Sequence, residues 1–359
     1  QWLDRIDAAG QTVLLGNYAW GITGGNITAA TLNVFSAGDM DLGTINNVAG
    51  NVGLSGTNII FTNLGNLVID RVLSSLGNAV LRSEEGASSQ TGPAPYDATG
   101  HAAYGRDGVT LAGGIRRIDG LSAGAGADVE VVSSRALELA GDISARNVLL
   151  RSNASPDMFT PTGGAITQTG GTITAELFRG SAYGAIDLGQ SNQIAALGDV
   201  WSFHGGISIT SDRALDLTGV LTAISGDVVL DAASIGQSGG SIEALGLRAR
   251  ATGAISLDAA NLISATGTVT FDTGADIAFR NDGGFTLGMV ETPGAATFTS
   301  TNGSISQAAS TRIGASRLSV SAANGGITLN EANLVDTLGG LTAGGAVVLR
   351  NTGDLGLDG

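Results

Sequence analysis

The stretch "ITQTGGTI" (166–173) returns as "IGQSGGSI" (235–242), an offset of 69, and its reading separates a ligand loop from a corner turned once per structural repeat. A phosphate loop needs Gly-x-x-x-x-Gly-Lys, and the chain has no Lys, so that reading is excluded. A dinucleotide site needs its glycines between a strand and a helix, and no helical pattern follows Gly170 or Gly239. Gly170, Gly171, Gly239 and Gly240 are therefore expected as tight corners, where adjacent glycines permit positive φ. Gln168, Gln237 and Gln307 recur at equivalent places and are expected to satisfy backbone groups at those corners, too far apart to form one amide ladder.

The echo extends outward. "GAIDL" from Gly184 matches "GAISL" from Gly253, and "NQIAALGDV" from Asn192 matches "NLISATGTV" from Asn261, both at the same offset. "NLVDTLGGL" from Asn333 follows after 72. "RALELAG" from Arg135 returns as "RALDLTG" from Arg213 at an offset of 78, the excess being assigned to an insertion, "SNASPDMFTPT" (152–162). Shorter steps lie inside the long one. Ile186, Ile207, Val228, Ile255 and Ile277 open strands at intervals of 21, 21, 27 and 22, which predicts three coils per long repeat.

Each strand alternates an apolar with a small or polar residue, as in Ile207-Ser208-Ile209 and Leu215-Asp216-Leu217, the pattern of a strand buried on one face. Helical spacing is nowhere sustained. Short strands recurring over a long period favour a solenoid over a sandwich or barrel. The expectation is an all-β, parallel β-helix of roughly 14 coils, forming one continuous β-solenoid over residues 1–359, with neighbouring coils at strand spacing. Two insertions, 82–108 and 152–162, project from it, so removal of 83–107 is expected to leave the fold intact.

Composition agrees. Gly supplies 57 of 359 residues against five Pro, 43% of residues are hydrophobic and only 4% aromatic, which suits a core of small aliphatic side chains. Disorder is disfavoured by that aliphatic content. The 17 basic residues are all Arg against 32 acidic ones, and a net charge of -15 argues against a nucleic-acid groove and for a solubilising surface. There is no Cys, hence no disulfide, and no apolar run long enough for a membrane helix.

Coils of "GxIxLxA" and "GDVxLxA" type, with almost no aromatic residues and neither Lys nor Cys, resemble the repeat regions of filamentous-haemagglutinin-like exoproteins, large bacterial surface β-helix proteins. The resemblance implies a right-handed helix, a secreted or cell-surface location, and a role as adhesin stalk, filament or biofilm-matrix scaffold. It also implies an export partner, although the family's secretion domain is not recognisable. Host or matrix surfaces, glycans among them, are the implied partners.

Function in a solenoid resides in departures from the repeat. In 82–108, Tyr96 and Tyr104 are expected to stack on a sugar or partner, with Asp97, His101, Arg106 and Asp107 supplying hydrogen bonds. In 152–162, Met158 and Phe159 are an exposed apolar pair. Trp201 and His204 in "DVWSFHGG" stand where the later repeat has Thr270 and Thr273, and mark a binding platform or plain packing. Asp39 and Asp41, spaced to share one strand face, raise carbohydrate-active catalysis, but no second carboxylate pair is evident, no calcium nonapeptide is present, and no cofactor or metal is expected. The leading expectation is therefore a non-enzymatic scaffold, with a self-assembling fibre subunit and a polysaccharide-active enzyme as alternatives. The chain stops in mid-repeat at "LRNTGDLGLDG", so continuation of the protein or stacking of copies end to end is expected.

Overall fold

Alternating side chains become alternating burial. In Ile207–Leu217 the residues Ile207, Ile209, Ser211, Leu215 and Leu217 point inward while their neighbours face solvent. A computed structural model describes residues 2–74, 77–90, 100–152 and 163–358. Among these the chain is all strand and turn, and the strands pair in parallel register. Each coil lays its strands on those of the coil before it, which defines a β-solenoid of about 17 turns among the described residues. The roughly 14 expected from sequence is too few. The chain forms two units, Gln1–Tyr183 and Gly184–Gly359.

In the second unit one inward column runs Ile186, Ile207, Val228, Leu247 and Val269, at steps of 21, 21, 19 and 22. A second runs Leu215, Ile235, Ile255, Ile277, Ala296 and Leu318. A third begins Val200, Leu221 and Ile242. Val228 thus sits on Leu247, and Ile255 belongs to another face, so the expected step of 27 crosses from one column to the next. Ile186 and Ile255 are separated by three coils and one further strand. The long echo therefore rotates each strand by one face, and three coils do not make one long repeat.

The inward positions hold a dry core. Phe271, Phe279, Phe285 and Phe298 are almost fully buried, with ring centroids 5.2 to 5.8 Å apart in tilted and edge-on pairs. Such arrangements suit the ring quadrupole and add to the transfer energy of each ring.

Polar residues enter this core at the corners. Asn261 is fully buried, and its amide donates to the carbonyls of Leu257 (3.0 Å), Ala259 (3.3 Å) and Arg280 (3.1 Å). Its Oδ1 accepts the Ile242 N–H at 2.8 Å. Gln237 closes the set, donating to Asn261 Oδ1 at 2.9 Å and accepting from its amide at 3.2 Å. Asn333 repeats the arrangement with Gln307, at 2.8 and 3.1 Å. The glutamines therefore serve the backbone locally, as expected, and Gln237 and Gln307 also pair with an asparagine of the next coil, which the sequence did not reveal. A buried amide with every donor and acceptor engaged avoids the desolvation penalty of an orphaned group.

The paired glycines are corners. Gly171 and Gly240 hold φ of +67° and +62°, and the Nε2 atoms of Gln168 and Gln237 donate to their carbonyls at 2.9 and 3.4 Å. A Cβ on Gly240 would overlap the Gly219 carbonyl oxygen of the coil beneath, so close stacking adds to the φ requirement. At the third corner Ser310 takes φ +60°, the one non-glycine positive φ among the described residues, and Gln307 reaches the Thr311 carbonyl at 3.5 Å.

The expected insertion 82–108 is corrected. Gly100–Gly105 pairs with Asn78–Ser83 on one side and Arg117–Ala123 on the other, while Ser88–Gln90 pairs with Leu67–Ser74 and Val109–Gly113. Ala79 lies beside His101, a step of 22, so the described parts of this segment, 82–90 and 100–108, belong to the stacked coils, while 91–99 lie outside the described residues. Low hydrophobicity disguised the described parts, because small and polar residues occupy most of their inward places. Residues 153–162 of the second expected insertion lie outside the described residues, and the step from Leu137 to Ile166 that spans them is 29. On either side of them, Gly164 N–H donates to the Ser152 carbonyl at 3.1 Å.

Candidate functional site

Outward positions on successive parallel strands form rows across the coils, and one such row in the first unit makes a groove. Arg82, Tyr104, Ser122 and Ser144 stand in register on four consecutive strands. Beside them Val80, Ala102 and Gly120 form a second row whose small side chains lower the floor. Asp119 and Asp142 border it, and the groove holds about 510 Å³.

The guanidinium carbon of Arg82 lies 5.1 Å from the centre of the Tyr104 ring, and Arg82 Nε is 2.6 Å from Glu84. The cation thus covers one ring face while its charge is matched. Arg117 Nε donates to Asp119 at 2.7 Å, and its Nη1 reaches Glu138 at 3.4 Å. The hydrogen bond to Asp119, followed by the fields of Asp119 and Glu138, holds the Arg117 guanidinium above its ordinary range. These are exposed pairs and add little stability. Their effect is to orient Asp119 at the groove edge, beside the hydroxyls of Ser122 and Ser144. Carboxylates, hydroxyls and an aromatic edge on a shallow floor can hydrogen-bond a polyol.

The residues expected to act together are dispersed. Tyr104 lines the groove. His101, three residues earlier, points the opposite way, into the core between Ala79 and Ile118, with 2% of its surface exposed. Burial depresses its pKa to about 4, against a smaller upward pull from Asp119, so it is neutral at pH 7 and is not a groove hydrogen-bonding group. Strand alternation separates the two: residues three apart face opposite sides. Arg106 and Asp107 occupy the turn that follows, where their N–H groups donate to the carbonyls of Ser83 (3.4 Å) and Gly86 (3.2 Å). Tyr96, Asp97, Met158 and Phe159 lie outside the described residues.

Trp201 faces outward opposite Thr222, its ring 5.8 Å from Phe203 in an edge-on pair, and His204 is exposed in the adjoining bend. Phe203, Ile224 and Leu245 are likewise exposed at corners of consecutive coils, making an apolar ridge. Asp39 and Asp41 do not act as a pair. Asp39 lies in the bend before Met40–Val48 and accepts from the Asn58 side chain at 2.8 Å, while Asp41 accepts the Gly43 N–H at 3.1 Å.

The reading from sequence passed over a second aromatic group, Tyr18 and Phe35, whose rings lie 4.9 Å apart on the outer surface of the first coils. The available signal was Tyr and Trp flanking a turn in a chain with 4% aromatic residues. Among the described residues no group of His, Asp and Glu has metal-binding geometry. No family model, curated protein or solved structure matches this chain.

Proposed function

We propose that the chain is a non-enzymatic scaffold of an exported bacterial surface or matrix protein, a stalk whose outward rows contact host or matrix polymers, glycans included. The observation that carries this reading is the parallel register itself. Inward columns fix the fold, while the outward residues of the same strands are released from it and recur at strand spacing, so a row such as Arg82-Tyr104-Ser122-Ser144 offers a repeating polymer a repeating surface. Catalysis is disfavoured at the groove because Asp119 is committed to Arg117 and the nearest histidine faces the core.

The test is adherence of the purified chain to immobilised extracellular polysaccharide, run beside assays for new reducing ends and for unsaturated products. Binding without turnover is expected, and Gly120→Leu, which fills the groove floor, should weaken it. Turnover abolished by Asp119→Asn would replace the scaffold with an enzyme.

A further inference from the structure

The outer surface of the first coils carries a second site. Leu14, Asn33 and Gly53 stand in one row across three strands, and Gly16, Phe35 and Ser55 in the next. Leu14, Asn33, Phe35, Gly53, Ser55 and Asp70 border a groove of about 370 Å³. Tyr18 lies beside it, 83% exposed, its ring 3.6 Å from where a Cβ on Gly16 would stand and 4.9 Å from the Phe35 ring at a tilt of 36°. The turn that places Tyr18 is held by Asn17, whose Oδ1 accepts the N–H groups of Ala19 and Trp20 at 3.2 Å and whose amide donates to the Gly21 carbonyl at 3.2 Å.

We propose that this surface binds a neutral hexose polymer, with Tyr18 and Phe35 stacking on the sugar and Asn33 and Asp70 hydrogen-bonding its hydroxyls. Three observations select that ligand. Tyr18 is largely open to solvent and Phe35 is 39% exposed in a chain that otherwise buries most of its phenylalanines, and the weakly polarised C–H face of a pyranose complements a ring's negative face. Asn33 Oδ1 and Asp70 Oδ1 converge over Gly53: a Cβ there would overlap the former and lie 3.4 Å from the latter, so the glycine opens the space between two polar groups. The charge is wrong for an anion, since Asp70 borders the groove and the chain carries -15. At physiological salt that total is screened beyond about 8 Å, but Asp70 acts at contact. This site is remote in sequence from the Tyr104 groove, and the proposal does not depend on the scaffold reading.

Calorimetry on the whole chain with mixed-linkage β-glucan and dextran, and with polygalacturonate as the anionic comparison, tests it. A neutral glucan should bind, Tyr18→Ala and Phe35→Ala should each weaken it at least tenfold, and Phe35→Tyr should retain it. Leu262→Ala, exposed on the second unit and lining neither groove, should leave this affinity unchanged, and binding that survives in Tyr18→Ala but is lost in Gly120→Leu belongs to the other groove. Melting curves of each variant report folding, and Tyr18, being exposed, is the variant least able to disturb it. Absence of neutral-glucan binding, preference for polygalacturonate, or equal affinity in folded Tyr18→Ala would overturn the proposal. So would loss of a dimer in Tyr18→Ala by sedimentation, which would assign the surface to a second copy.

Discussion

His101 in the first unit and Asn261 in the second are both buried polar residues, and the chain treats them oppositely. Asn261 occupies a corner where backbone donors and acceptors of two coils turn inward, and its amide engages them with Gln237 completing the set. His101 sits in the strand Gly100–Gly105 between Ala79 and Ile118, and burial keeps it neutral. A corner can use a polar side chain. A column tolerates one only in its uncharged form.

Deleting 83–107 is expected to have the largest effect. This takes out Ser88–Gln90 and Gly100–Gly105, leaving their partner strands out of register, and loss of the cooperative β-sheet melt of the first unit is expected by circular dichroism. Asn261→Leu should follow, because it strands the Ile242 N–H, several carbonyls and Gln237 in the core. At about 1–3 kcal/mol for each unsatisfied buried group, the expected destabilisation is about 4 kcal/mol by urea denaturation.

His101 sharpens the contrast through pH. Its folded value of about 4 lies below the ordinary 6.5, so its stabilising contribution is complete above pH 6.5 and is lost as pH falls toward 4. The full swing is about 3 kcal/mol. His101→Leu should remove that component, leaving a shallower decline in stability between pH 6.5 and 4 than in the wild type. An unchanged slope would mean that the imidazole does not stay neutral in the core. The smallest effect is expected at the Gly corners: Gly240→Ala forces a Cβ into the left-handed region and against Gly219, for about 2 kcal/mol, whereas Ser310→Gly, at a corner that already accommodates a side chain, should change stability by less than about 1 kcal/mol.

Legibility followed physical range. Alternation such as Ile207-Ser208-Ile209 is local, so strands were readable, and Gly-Gly corners were readable because positive φ is a property of one residue. The strands Ser88–Gln90 and Gly100–Gly105 were misread because their inward places are filled by Ser88, Gln90, His101 and Ala103 in place of large aliphatics, and burial of such residues depends on what the neighbouring coils supply. Tyr104 was found for its residue type. Its partner Arg82 lies one coil away, a separation that no local pattern marks.

Taken alone, the sequence determined the all-β class, the period-2 burial and the corners at Gly171 and Gly240. The tertiary structure alone decided which strand lies on which. Strands that look alike, such as those opening at Ile186 and Ile255, are three coils and one strand apart and occupy different faces, because the long echo is not a whole number of coils. Periodicity carries no information about face. That choice is made by closure of each turn against the one beneath it, and the same closure brings Asn33 and Asp70 together over Gly53 and turns Tyr18 onto Phe35.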